Sequence, residues 1–282
     1  MTALIDGKAT AKRIRAQVAS DVAAAYASAA EAPGLATILV GEDPASSVYV
    51  ASKRRAVKEA GMRDLHRTLP ETSTQEQVAA VIDELAADPA VSGILLQLPL
   101  PKGLDSASLI ERIPVEKDVD GLTTMSAGLL ARGCYGLRPC TPSGVIELLD
   151  TESVQIAGAR AVVIGRSELV GRPLAQLLLQ RDATVTIAHS KTRDLAVLTS
   201  GADILVAAAG VRGLIGAEHV KPGATVIDVG IHRTDKGLAG DVRTAELDGI
   251  AARITPVPGG VGPMTIAMLM TNTLSAALWA RG

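Results

Sequence analysis

Short apolar runs alternate with helix-period segments along most of this chain. Residues 35–40 read as a buried strand, 45–59 as a helix stopped by Gly61, 75–85 as an amphipathic helix and 93–98 as a second buried strand. Strand–helix–strand order with crossovers of this length implies a parallel sheet. The Ala-rich stretch 16–32 reads as a helix ended by Pro33-Gly34. Pro99, Pro101, Pro114, Pro139 and Pro142 then punctuate a region of loops and short helices. A second block opens near Ala161. Strands are expected over 161–164, 183–188, 204–208, 225–229 and 254–255, with helices over 169–180 and 263–280.

This pattern predicts an α/β protein of two parallel-sheet domains with a cleft between them. The first domain spans 1–138 and the second 139–262, and the C-terminal helix 263–282 packs back onto the first. A chain of 282 residues is long enough for both.

Composition narrows the chemistry. Aromatic residues are Tyr26, Tyr49, Tyr135 and Trp279, with no Phe, so Ala, Val, Leu and Ile must fill the core. The net charge is −2 and no segment is strongly basic, which argues against a nucleic-acid partner. Cys134 and Cys140 form neither a C-x-x-C pair nor a disulfide framework, and the reading is a reducing cytoplasm. The N-terminus lacks a basic stretch followed by an apolar one, and no apolar run approaches the ~20 residues of a membrane span. No membrane partner and no metal site are expected.

Val162-Val163-Ile164 runs directly into Gly165-Arg166-Ser167-Glu168-Leu169-Val170-Gly171 and then a helix. Backbone N–H groups and the helix dipole at such a junction favour a pyrophosphate, as in Rossmann-type domains. The spacing is G-x-S-x-x-x-G, with Ser167 in place of the usual middle glycine. Glycine turns of this kind also serve tight strand–helix packing alone. The next strand ends in Ala188-His189-Ser190-Lys191-Thr192, without the acidic residue that holds the ribose hydroxyls in NAD sites. Hydroxyls, a cation and Arg166 suit the 2′-phosphate of NADP; the alternative is a solvated polar loop.

In the first half, Tyr49 and Lys53 are four apart on one helical face. That helix follows the end of a strand, where α/β sites sit. The competing reading packs Tyr49 in the core and leaves Lys53 in solvent. Gln97 ends a strand in the same way. Asp120 sits in the acidic loop Pro114-Val115-Glu116-Lys117-Asp118-Val119-Asp120-Gly121, where an Asx-type turn is the alternative. The stiff, glycine-rich segment 255–265 could approach a flat ligand closely or act as a hinge.

Taken together, these segments resemble the bifunctional methylenetetrahydrofolate dehydrogenase/methenyltetrahydrofolate cyclohydrolase (FolD) family. The matching stretches are V-G-E-D-P-A-S-S-V-Y-V-A-S-K, G-I-L-L-Q-L-P-L-P, K-D-V-D-G, P-C-T-P-S-G, G-R-S-E-L-V-G-R-P, H-S-K-T, V-K-P-G-A-T-V-I-D-V-G-I and T-P-V-P-G-G-V-G-P-M-T. They occur in family order over most of the chain. The resemblance implies NADP-dependent oxidation of 5,10-methylenetetrahydrofolate to the methenyl form, followed by hydrolysis to 10-formyltetrahydrofolate. It implies that Tyr49 stacks on the folate, that Lys53 is the catalytic group beside Gln97, and that Asp120 anchors the pterin. Gly165, Arg166, Ser167, Ser190, Thr192 and Ile231 would hold NADP, and Gly260 and Pro263 would line the folate cleft. A homodimer is implied as well.

Three positions depart from the family. Leu122 stands where Phe is frequent, Ser126 where Asn is frequent, and His232 replaces the usual Asn after Gly230-Ile231. His232 lies beside the expected nicotinamide pocket, so it bears on cofactor preference and rate. Two rival readings share parts of the pattern. A shikimate- or amino-acid-type dehydrogenase would share the Rossmann half but has no reason to carry Tyr49, Lys53, Gln97 and Asp120 together. A non-catalytic folate- or nucleotide-binding module would bind without turnover.

Overall fold

A computed structural model describes residues 1–235 and 237–281. The chain opens with β1 (Ala3–Leu4) and α1 (Gly7–Ala25), followed by β2 (Gly34–Val40) and α2 (Pro44–Glu59). Next come β3 (Arg63–Asp64), β4 (Arg67–Leu69), α3 (Gln75–Ala87), β5 (Gly93–Leu96), α4 (Ser106–Ile110), α5 (Thr124–Ala131) and α6 (Cys140–Thr151). The second half runs β6 (Arg160–Ile164), α7 (Gly171–Leu179), β7 (Thr184–Ala188), α8 (Leu195–Thr199), β8 (Ile204–Ala207) and β9 (Thr225–Asp228). It closes with β10 (His232–Thr234), β11 (Gly237–Ala239), β12 (Arg253–Ile254) and α9 (Val261–Trp279).

The chain folds as two compact units. One comprises residues 12–140 and 266–282, the other 1–11 and 141–265. In the first, β2 is the hub of a parallel sheet, paired with β3 and β4 along one edge and with β5 along the other. Every residue of β2 and β5 is buried. Alternate side chains serve opposite faces: Leu35 and Leu95 enter one core cluster, Ala36, Ile38, Ile94 and Leu96 the other. Burial on both faces explains why these strands read as continuous apolar runs. Asp43 caps α2 by accepting the Ser46 N–H at 2.7 Å, and Pro44 opens its first turn. Val18 and Val22 of α1 share a core with Met268, Leu269 and Leu274 of α9. By length and composition α9 could cross a bilayer, but most of it is buried inside the protein.

The second unit holds a six-stranded sheet in the order β1-β12-β9-β8-β6-β7, with parallel pairing throughout. β6 has β7 on one side and β8 on the other, so the strand order reverses beside it. In open parallel sheets ligands bind outside the carboxyl ends of the strands at this switch point.

Some boundaries differ from the sequence reading. Residues 1–11 were expected in the first domain, yet β1 adds to the second sheet, with Ala3 opposite Arg253 and Leu4 opposite Ile254. A two-residue strand carries no periodicity to detect. The first helix is not 16–32. It starts nine residues earlier, where Asp6 accepts the Ala9 N–H at 3.0 Å, and ends at Ala25, after which Tyr26 turns into the core. Helix α7 starts at Gly171 rather than 169, because Ser167 to Val170 form a turn. Gly282, the last residue of the expected C-terminal segment, lies outside the described residues.

Candidate functional site

In the first unit, α2 places Tyr49 and Lys53 one turn apart. Neither takes the role an ordinary surface helix would give it. Tyr49 is 42% exposed rather than packed in the core, and Lys53 is only 8% exposed rather than solvated. The Lys53 ammonium donates to Gln97 Oε1 at 2.9 Å, while Gln97 Nε2 donates to the Leu98 carbonyl at 2.6 Å. The second bond fixes the amide, so an acceptor faces the lysine. Burial pushes the Lys53 pKa below its ordinary 10.5, against the opposing pull of Asp120 and Cys140.

Asp120 follows Asp118, which bridges to Ile94 of β5, in a loop held by that neighbour. The Asp118 carboxylate is buried and accepts from Leu122 N at 3.1 Å, Thr123 N at 2.8 Å and Ser126 Oγ at 2.7 Å. The Asp118 carbonyl also accepts from Gly121 N at 3.0 Å. Asp118 therefore makes the turn that the sequence offered to Asp120. Desolvation raises the Asp120 pKa, with the Lys53 charge acting against it and the Asp118 charge adding to it. The Cys140 thiol reaches both the Val119 carbonyl, at 3.3 Å, and the Asp120 carboxylate, and burial pushes its pKa well up. Asn272 of α9 donates to the carbonyls of Val119, at 2.8 Å, and Arg138, at 2.7 Å, tying down both sides of this corner. Asp118, Cys140 and Asn272 were missed as site residues. P-C-T-P-S-G was visible as a motif, but no spacing rule links Cys140 or Asn272 to Asp120.

In the second unit, β6 delivers Gly165, Arg166 and Ser167 to the switch point. Gly165 has φ +128°, and a Cβ there would collide with the Ala208 carbonyl. A Cβ on Gly171 would collide in turn with the Gly165 carbonyl. The two glycines thus allow the close strand–helix approach that opens the N-terminus of α7. Ser167 Oγ accepts from Val170 N at 3.2 Å and Gly171 N at 3.4 Å, which directs its single O–H proton elsewhere. Arg166 is exposed. After β7, His189 N donates to Thr192 Oγ1 at 2.9 Å and Thr192 N to the His189 carbonyl at 2.8 Å, a closed turn that presents Ser190 to solvent. Ile231 follows β9 and is exposed.

Gly260 and Pro263 belong to this unit, not to the one that carries Tyr49 and Lys53. Gly260 is buried and donates to the Pro256 carbonyl at 2.8 Å; Pro263 stands in the first turn of α9. Two buried aspartates went unnoticed in the sequence. Asp228 accepts from the backbone of Gly230, Asp241 and Val242, at 3.0, 2.9 and 3.0 Å, and desolvation raises its pKa to about 6. Asp241 accepts from Ala209 N at 2.7 Å and Gly210 N at 2.8 Å. Asp228 is a single acidic residue in the largely apolar stretch 224–231, which was the available signal; Asp241, between Gly240 and Val242-Arg243, carries none. Among the described residues, no group of three or more His, Cys, Asp or Glu side chains could hold a metal ion.

Comparison with known proteins gives a consistent result over both halves. The family model described as tetrahydrofolate dehydrogenase/cyclohydrolase, catalytic domain, matches residues 5–120. Its partner, the NAD(P)-binding domain of the same family, matches residues 139–281. The chain is 66% identical over 274 residues to bifunctional protein FolD 2 of Frankia alni, covering 97% of this chain and 95% of that one. Among solved structures, the bifunctional FolD methylenetetrahydrofolate dehydrogenase/cyclohydrolase of Campylobacter jejuni superposes with a TM-score of 0.96 at 43% identity, covering 99% of this chain and 100% of that one. The Trypanosoma brucei enzyme, solved with NADP cofactor and an inhibitor, gives 0.94 at 40% identity, covering 99% and 98%.

Proposed function

Because the chain belongs to the tetrahydrofolate dehydrogenase/cyclohydrolase family, we propose that it oxidises 5,10-methylenetetrahydrofolate with NADP and hydrolyses the methenyl product to 10-formyltetrahydrofolate. The observation that carries this reading is the buried Lys53–Gln97 pair with Asp120 beside it. A lysine desolvated by the fold, and oriented by an amide rather than a carboxylate, is suited to gain and lose a proton.

The folate would lie on the first unit. Tyr49 offers an exposed ring face for the pterin. The Asp120 carboxylate can accept two adjacent N–H donors of the amino-pyrimidine edge, giving charge-assisted orientation. In the hydrolytic step, water adds to the methenyl carbon and a ring nitrogen leaves as the carbon becomes a formyl group. Lys53 accepts a proton from the attacking water and returns one to the departing nitrogen. The substrate's positive charge further disfavours the ammonium form, and Gln97 orients the amine without fixing its charge.

The residues of the second unit fit a dinucleotide. The glycine junction brings backbone N–H groups of an α-helix start to the switch point, and Ser167 can donate its O–H to a phosphate oxygen. Arg166, Ser190 and Thr192 would surround a 2′-phosphate, with no carboxylate at the end of β7 to repel it. Ile231 would border the nicotinamide. The bound cofactor supplies the hydride acceptor, while the protein orients the reactants. In the cell the enzyme acts as a cytoplasmic homodimer, which light scattering and cell fractionation test.

Adding methylenetetrahydrofolate and NADP⁺ and following methenyl absorbance tests the whole reading. Methenyl formation followed by its decay is expected. Binding of both ligands without turnover would point to a non-catalytic module, and turnover of shikimate instead would point to the other dehydrogenase class.

A further inference from the structure

The second unit contains a polar chain that the proposed chemistry does not use. Asp241 is fully buried. One of its oxygens accepts from Ala209 N at 2.7 Å and Gly210 N at 2.8 Å. The other faces His232 Nε2 at 2.7 Å, so the imidazole carries its proton on that nitrogen and donates it. Ala209 and Gly210 continue from the carboxyl end of β8. The residue before them, Ala208, has its carbonyl so close to Gly165 that a Cβ would not fit. This segment is therefore the wall of the switch point next to the glycine junction. His232 also follows Ile231 directly, and the Gly230 N–H is pinned at 3.0 Å by Asp228, which holds the Asp241 N–H as well at 2.9 Å.

We infer that His232 is a positioning residue for the dinucleotide: by donating to Asp241 it sets the Ala209–Gly210 backbone at the switch point and anchors the Ile231 segment beside it. The inference rests on the reading of this unit as the NADP site. Asp241 has no exposure to water, so each donor it holds keeps a buried polar group satisfied. Removing the His232 donor leaves one buried oxygen without that partner. The carboxylate must then shift, and the two N–H groups on its other oxygen shift with it. The backbone wall that the dinucleotide would meet moves, while Tyr49, Lys53, Gln97 and Asp120 belong to the other unit and keep their contacts.

The test uses the full-length enzyme and two variants, His232→Leu and His232→Gln. Gln carries a donor at about the reach of imidazole Nε2, whereas Leu fills similar space without one. NADPH fluorescence titration gives the Kd, and steady-state assays give KM for NADP⁺ and for methylenetetrahydrofolate. Hydrolysis of methenyltetrahydrofolate without added dinucleotide reports on the other unit. For His232→Leu the NADPH Kd and the NADP⁺ KM should rise about tenfold, the scale of one lost charge-assisted hydrogen bond. Folate KM and cofactor-free cyclohydrolase activity should stay at the parent level, and His232→Gln should recover most of the affinity. Unchanged Kd in His232→Leu overturns the inference. So does a His232→Gln variant as weak as His232→Leu, or joint loss of affinity and cyclohydrolase activity, which would mark a general stability role. If the parent enzyme binds no NADPH, the NADP reading itself fails and this inference falls with it; that titration is read first.

Discussion

The two units use buried charge in opposite ways. Around Lys53 an amine faces an amide and a carboxylate lies near a thiol, and desolvation moves the pKa of the amine, the carboxylate and the thiol. Around β8 and β9 the buried carboxylates face backbone N–H groups, five bonds in all for Asp228 and Asp241. The first arrangement keeps protons movable. The second locks main chain in place. Proton transfer needs groups poised between two states, whereas dinucleotide recognition needs fixed dipoles at the ends of strands and helices. The difference supports the proposed division, with proton transfer in one unit and dinucleotide positioning in the other.

Lys53→Met should strike the contrast hardest. Cyclohydrolase activity should fall by about 10²–10⁴-fold, the usual worth of a positioned acid–base group, while NADPH still binds. Full ring opening in that variant, followed by loss of methenyl absorbance, would remove Lys53 from the mechanism. Asp120→Asn comes next. Replacing a charged acceptor by an amide that must also present donors should raise folate KM by about a hundredfold, with little change in NADP⁺ KM. A shift confined to the dinucleotide would reverse the assignment of units.

Arg166→Ala is expected to have a smaller effect. It should weaken NADP by about tenfold and NAD much less, because NAD lacks the 2′-phosphate. Equal losses for both would argue against a 2′-phosphate contact. The gentlest perturbation is pH. Burial lowers the Lys53 pKa, so the neutral amine accumulates as pH rises through a value below 10.5. The cyclohydrolase rate should therefore climb with pH through that value and level off above it. A rate that is flat, or that falls across this range, would sink the lysine as base.

The alternation of buried strands and amphipathic helices was enough to read two parallel α/β layers. Strands such as β2, covered on both faces, are apolar almost throughout, with Thr37 the polar exception, and that pattern survives in one dimension. The glycine junction after Ile164 was legible for a similar reason: a tight turn between strand and helix admits few residues. Tyr49, Lys53, Gln97 and Asp120 were found through the family resemblance and their positions after strands.

Other features depend on distance in space. β1 joins the second sheet through pairing with residues about 250 positions later, a contact no local pattern encodes. Whether Lys53 was solvated or buried was open until the fold removed it from water. Cys140 and Asn272 approach Asp120 from separate segments, and Asp118 takes the turn hydrogen bonds that either aspartate could have made. His232 was visible as a departure beside the expected nicotinamide, but its bond to Asp241 appeared only in the folded hairpin. The sequence by itself determined the layers, the glycine junction and the list of chemical groups, because these follow from local periodicity and turn sterics. Tertiary structure alone decided which of those groups lose water and which partner each one meets, because desolvation and hydrogen bonding depend on neighbours far along the chain.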